Sequence, residues 1–321
     1  MFSIYKDKTK RWTPIDFKDI NVQDMNVAII GGTNGIGQAI SRKLIEDGAK
    51  VTVVGRTLRE DDETSQKIQF IKTTDLGLVA EADRVSTELN RLNAKTPLTH
   101  VIFTTGILAA PNREETIEGI EKDMATSYLS RFVILNNLVP NLKQSFQLEI
   151  TDNDNKIRSE VTLKPRVFVM GFPGNQSLGD PEDLNSLKTP YKPMQTHYNT
   201  VGANEALVIN SVKENQNVNT FGLNPGIIQT GIRSNYMGEG WMSSILEWII
   251  SKTTQEATTY ANKVVPLLWA PELEKYNGSM FNNNAEFILP SKEMDDQLVD
   301  KFIKNSKILV DLATQNDSKM S

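Results

Sequence analysis

Three glycines, Gly31, Gly35 and Gly37, crowd the end of an apolar run in "AIIGGTNGIGQAI", residues 28–40. Close approach of a diphosphate needs bare backbone N–H groups and a turn free to take unusual φ/ψ, and glycines supply both. The helix that follows presents its positive end, so the anion can be held by backbone alone. The spacing is G-x-x-x-G-x-G rather than the G-x-G-x-x-G of the dinucleotide fingerprint, and the competing reading of a glycine turn is a ligand-free strand-to-helix bend. Nineteen residues past Gly37 stands Arg56. A carboxylate there would repel a 2′-phosphate, whereas a guanidinium holds one bidentately, so Arg56 favours NADP(H) over NAD(H); the alternative is a solvated strand-end arginine. Asp75, after the third apolar run, is placed either to accept from an adenine amino group or to cap the next helix.

These residues need a scaffold of alternating elements. "NVAIIGG", "GIGQAISRKLIED" and "KVTVVGR" follow one another as strand, helix and strand, the βαβ rhythm of a parallel sheet. Further strands are expected at 68–73, 99–106, 165–171 and 218–226, with helices near 79–92, 116–143 and 197–213. Near-continuous Val/Ile/Phe content fits strands covered on both faces. The expected fold class is α/β, a single doubly wound Rossmann-type domain with a parallel sheet flanked by helices. Residues 1–24 would form an N-terminal extension, the charged stretch 147–160 a surface insertion, and 235–252 a substrate lid.

A chain of 321 residues can bury a substantial core as one domain. The formal net charge of −5 argues against a nucleic-acid partner held through phosphates. With no cysteine and two histidines, His100 and His197, disulfides, thiolate metal sites and a cysteine nucleophile are excluded, and a histidine metal site has little material. No window approaches the roughly 18 apolar residues of a spanning helix, and the expected location is cytoplasmic. Trp241, Ile245, Trp248 and Ile249 recur at helical spacing, read as a core face or lid, with lipid-surface association as the lesser alternative.

With these residues placed, the chain resembles the short-chain dehydrogenase/reductase superfamily over roughly residues 25–290, on its retinol-dehydrogenase-like side and near yeast proteins described as aldehyde reductases. "IGGTNGIG" resembles the family's T-G-x-x-x-G-I-G, which implies cofactor contacts from Gly31, Thr33, Asn34, Gly35, Ile36 and Gly37. "FTTGI" stands where N-N-A-G-I is usual and would add Thr104, Thr105 and Gly106. "FGLNPGIIQT" is similar to the P-G-x-x-x-T stretch, so Pro225, Gly226 and Thr230 would border the nicotinamide carboxamide. The resemblance implies hydride transfer to or from a small-molecule carbonyl. Family members often pair through the two helices matching 116–143 and 197–213, so a homo-oligomer is an open expectation.

The catalytic positions depart from that pattern. The family's Y-x-x-x-K falls at "YNTVG", which puts Tyr198 at the tyrosine and Gly202 at the lysine. Gly171 or Phe172 stands where a serine is usual, and Ser127 matches the asparagine of the active-site helix. A tyrosine without a neighbouring cation is a sluggish acid at neutral pH. His197 precedes it, and an imidazole, with an ordinary pKa of about 6.5, could give the proton instead. Adjacent helical positions point about 100° apart, so both cannot face one carbonyl unless the helix begins there. Phe172, Met194, Tyr236 and Trp241 would line an apolar pocket. Two functions result: an NAD(P)H-dependent reductase of carbonyls, favouring small aldehydes, or a catalytically impaired NAD(P)-binding sensor or scaffold of the same fold.

Overall fold

Strand β1 (Asn26–Ile30) is buried along its whole length and stands third from one edge of an eight-stranded sheet. The structure, a computed structural model, describes residues 4–21, 24–58, 63–152, 154, 156–226, 228–229 and 255–319. The other sheet strands are β2 (Lys50–Gly55), β3 (Gln69–Lys72), β4 (His100–Phe103), β5 (Arg166–Met170), β6 (Asn219–Leu223), β7 (Met280–Phe281) and β8 (Phe287–Ile288). Their order is β8-β7-β6-β5-β4-β1-β2-β3, parallel except for β8. Ile30 pairs with Val54 on one side and Phe103 on the other. From β1 the chain winds outward through β2 and β3, then returns to β4 on the opposite side. That reversal opens a crevice beyond the carboxyl ends of β1 and β4, where open α/β sheets bind ligands.

Alternation along each strand divides the core. Val27, Ile29, Val51, Val53, Phe168 and Phe221 pack beneath helices α1 (Gly35–Glu46) and α5 (Ala257–Val264), together with Trp269. Ala28, Ile30, Val54, Phe103, Val167 and Val169 face the other layer. That layer holds α2 (Val79–Leu92), α3, α4 (Pro193–Glu214) and α6 (Asp296–Asp317). Helix α3 is composite, running through Lys122–Met124, a π turn at Ala125–Leu129, and Ser130–Leu138. It begins at Lys122 rather than near 116 because the Glu121 carboxylate accepts from the Met124 amide and caps the helix there.

Helix α6 lies across α3 and α4. Tyr128 Oη and Ser306 Oγ are 2.6 Å apart, Phe302 packs at Gly202, and Asn316 donates to the Glu118 carbonyl. The stretch 147–160 has strand structure. It lies within a hairpin of Phe146–Thr151 and Ile157–Leu163 that pairs with Ile20–Asn21, and Phe146, Leu148 and Leu163 are buried. The N-terminal stretch covers the sheet edge at β8, where the Asp7 amide donates to the Phe287 carbonyl and the Leu289 amide to the Tyr5 carbonyl.

Candidate active site

The glycine turn joins β1 to α1. Gly31 takes φ +93° and Gly35 φ +54°, conformations that favour glycine. A Cβ on Gly31 would meet Thr105 Oγ1 at 2.6 Å and the Thr105 amide at 2.7 Å. On Gly37 it would overlap the Gly31 carbonyl oxygen and stand 2.5 Å from Thr104 Oγ1. Asn34 caps α1, its side chain accepting from the Gly35 amide at 2.8 Å. The first-turn amides of a helix have no intrahelical partners, which leaves a donor-rich mouth. Beside it Thr104 Oγ1 donates to the Ile30 carbonyl at 3.0 Å, while Thr105 Oγ1 is buried with no hydrogen-bond partner among the described residues. A stripped backbone cradle with an unsatisfied hydroxyl next to it fits a bound diphosphate.

Along the crevice, Thr33 packs its side chain where a Cβ on Gly55 would stand, and Arg56 follows Gly55 as an exposed side chain. Asp75 Oδ1 accepts from the Gly77 amide at 2.8 Å, so its carboxylate turns the chain ahead of α2. The cap of α2 comes from elsewhere: Glu118 accepts from the Val79 and Ala80 amides at 2.6 and 3.1 Å.

A cavity of about 190 Å³ opens at the carboxyl ends of β4, β5 and β6. Its apolar lining includes Ile36, Ile107, Met170, Phe172 and Val201; its polar lining includes Thr104, Ser127, Arg131, His197, Thr200 and Asn204. Gly106, Pro225 and Gly226 also border it. A larger cavity of about 370 Å³ lies between α2, α3 and α6, away from the glycine turn. Phe172 holds φ +56°, a strained backbone for an aromatic residue, beside the first cavity. Met194 is half exposed and does not line it. Thr230, Tyr236, Trp241 and the expected lid at 235–252 lie outside the described residues.

Helix α4 turns to the cavity a face one residue out of step with the expected catalytic register. The face it turns to the cavity carries His197, Thr200, Val201 and Asn204, spaced i, i+3, i+4 and i+7. Tyr198 lies about 100° further round and is not among the lining residues. Gly202 faces away, its absent Cβ replaced by the Leu178 carbonyl and the Phe302 ring. The i and i+4 positions on the cavity are therefore His197 and Val201.

Behind His197 stands a carboxylate. Asp123 is fully buried, and its Oδ2 lies 2.7 Å from His197 Nδ1 while its Oδ1 accepts from Ser127 Oγ at 2.5 Å. Ser127 Oγ also accepts from the Ile107 amide at 2.9 Å. Ser127 belongs to the π turn, a local widening of helices that recurs at functional sites. One turn on, Arg131 donates to the carbonyls of Met170 (2.5 Å) and Thr105 and to Asn204 Oδ1 (2.8 Å). Its guanidinium thus ties β4, β5 and α4 together. Burial pushes it down to about 9, opposed by Asp123, so it remains a cation at neutral pH. Glu205 fixes the loop after β5 by accepting from the Gly174 amide at 3.0 Å and Ser291 Oγ at 2.8 Å.

Asp123 and Arg131 carry no motif. The one signal that points to them is spacing: Asp123, Ser127 and Arg131 stand at i, i+4 and i+8 of one helix.

The short chain dehydrogenase family model matches residues 25–150. An uncharacterized oxidoreductase of Saccharomyces cerevisiae, YKL107W, is 46% identical over 314 residues, covering 98% of this chain and 96% of the relative. The chain belongs to the short-chain dehydrogenase family. Short-chain dehydrogenases bind NAD(P), and this one is an oxidoreductase by membership. Bovine retinol dehydrogenase 12 is 26% identical over 166 residues, 48% of this chain and 52% of that one. Among solved structures, the RhlG/NADP active-site complex of Pseudomonas aeruginosa superposes with a TM-score of 0.52 at 19% identity, over 80% of this chain and 94% of that one, a likeness of fold. No described helix is long and apolar enough to cross a membrane.

Proposed function

We propose that this short-chain dehydrogenase is an NAD(P)H-dependent reductase of small aldehydes, with NADPH as the preferred cofactor. The observation that carries the reading is the adjacency of the stripped glycine turn to a small, largely apolar cavity holding a histidine. Gly31, Thr33, Asn34, Gly35, Ile36 and Gly37 would hold the diphosphate, Arg56 the 2′-phosphate and Asp75 the adenine. Thr104, Thr105 and Gly106 would follow the cofactor toward the cavity, with Pro225, Gly226 and Thr230 at the nicotinamide carboxamide. When bound, the reduced nicotinamide supplies a hydrogen with its electron pair to the substrate carbon. This chain's own residues exclude water, orient the carbonyl and deliver a proton to its oxygen.

The aldehyde preference follows from magnitudes. General acid catalysis contributes about 10²–10⁴ in rate, roughly 3–5 kcal/mol, while near-attack positioning is worth about 7–11 kcal/mol. Without a lysine on the cavity face of α4, positioning carries the larger share, and that suits an electrophilic carbonyl. The cavity volume suits a short one.

The test is to measure melting with NADPH and NADH, then follow oxidation of the reduced cofactor against short aldehydes. Ligand at about 100 times its dissociation constant adds roughly 2.7 kcal/mol of stability. A shift with turnover supports the reductase. The occupation of the lysine position by Val201 or Gly202 favours a second reading, a sensor or scaffold that binds the cofactor without turnover. A shift without turnover selects it, and no shift removes both.

A further inference from the structure

We infer that His197 is the proton donor of the reaction and Asp123 the positioning residue that makes it one, an inference that rests on the reductase reading and deepens it. The two lie on different helices, 74 positions apart, and meet at 2.7 Å with Asp123 0% exposed and the His197 side chain 16% exposed. An ionised carboxylate only accepts, so the proton on Nδ1 belongs to the Asp123 contact and Nε2 is left as the working atom of the ring at the cavity. No described residue hydrogen-bonds Nε2.

Both carboxylate oxygens are committed, one to the ring and one to Ser127 Oγ, and the Ile107 amide anchors Ser127 in turn. The ring plane is therefore fixed from three elements: α4, the π turn of α3 and the segment after β4. The order of contacts excludes a hydrolytic triad. There the serine hydroxyl would give its proton to the imidazole, whereas here it gives it to the carboxylate and is not primed as a nucleophile.

Among the described residues, the charged and titratable groups around this pair are few. Helix α3 brings Asp123 and Arg131, with Glu121 at its N-terminus; the segments packed against that end bring Arg113 and Tyr191. Tyr191 Oη donates to the Ala110 carbonyl at 3.0 Å, and Arg113 pairs with Glu115 at 2.6 Å. Of these groups, Asp123 is the one hydrogen-bonded to the ring.

The step balances as follows. The carbonyl carbon gains a hydrogen with its electron pair from the reduced nicotinamide, which is thereby oxidised. The carbonyl π pair moves to oxygen, and oxygen takes the Nε2 proton. The ring is left neutral with its Nδ1 proton still held by Asp123, and water returns the second proton.

With two histidines in the chain, nitrogen-15 NMR reads the ring directly in the cofactor-free protein. His197 at high pH is expected as the Nδ1–H tautomer in the wild type and as the Nε2–H tautomer in Asp123→Asn. A wild-type ring already in the Nε2–H form overturns the inference. With NADPH and propanal, His197→Gln is expected to lower kcat about 100-fold. Asp123→Asn is expected to lower it about 10-fold or more, each with KM within about threefold. A fall in kcat with rising pH is expected in the wild type and its disappearance in His197→Gln. Normal kcat in His197→Gln overturns the donor while leaving a reductase; a wild type whose melting ignores both dinucleotides overturns the reductase and the donor with it. If Asp123→Asn does not fold, the wild-type tautomer and the His197→Gln profile still decide.

Discussion

Gly37 passes so close to Gly31 that a Cβ on the first would overlap the carbonyl oxygen of the second. The contact closes the turn at the mouth of α1, and it leaves room for nothing larger than hydrogen. Gly37→Ala is expected to lower the melting temperature and to abolish the upward shift given by NADPH. Melting curves with and without cofactor check both effects, and an unchanged NADPH shift counts against the diphosphate assignment.

Arg56 stands exposed at the end of β2, with Thr33 packed on the preceding glycine. Arg56→Ala is expected to weaken NADPH at least about 10-fold and NADH less than about twofold, since only the former carries the 2′-phosphate. Titration calorimetry with the two cofactors measures the difference. Equal weakening would refute the phosphate contact.

Two glycines should respond by very different amounts. A Cβ on Gly202 collides with the Leu178 carbonyl, a backbone atom that cannot step aside, whereas on Gly106 the nearest atom is Ser127 Oγ at 3.6 Å. Gly202→Ala is expected to cost about 2–4 kcal/mol in urea unfolding and Gly106→Ala less than about 0.5 kcal/mol.

Burial pushes the Glu121 carboxyl from its ordinary 4.5 up to about 7. A raised carboxyl favours the folded state while it is neutral, so its contribution is whole below pH 4.5 and is lost as pH rises through 7. Glutamine keeps the acceptor for the Met124 amide and never ionises. Glu121→Gln should therefore match the wild type in denaturant stability at about pH 4.5 and exceed it by about 1–3 kcal/mol at about pH 8.

Phe172 borders the cavity and is 36% exposed. Phe172→Ala is expected to raise kcat/KM for hexanal relative to propanal by about 10-fold or more, the lower end of the scale for one methylene in an apolar pocket. Ratios measured at saturating NADPH give the answer, and an unchanged ratio would place the aldehyde chain elsewhere.

The sheet is legible in the sequence because its signals are local. The runs at 68–73, 99–106, 165–171 and 218–226 contain the strands at 69–72, 100–103, 166–170 and 219–223. The glycine turn is legible for the same reason, since strand, glycines and helix are contiguous. Three features are not. Asp123 meets His197 only through the packing of two helices distant in sequence. The face that α4 turns to the cavity escapes because matching Tyr198 to a tyrosine says nothing of which face the sheet covers, and one residue on a helix is a rotation of about 100°. The hairpin of Phe146–Thr151 and Ile157–Leu163 reads as polar because its burial is confined to a few positions such as Phe146, Leu148 and Leu163.

Helix α6 bears on association between copies of this chain. A second subunit docking against the flank of α3 and α4 would meet residues 296–317 already seated there, with Val299, Phe302, Ile303 and Leu309 turned inward. Dimerisation by that route would require eviction or reciprocal exchange of the whole segment, so an intact protomer that self-associates must recruit a different face.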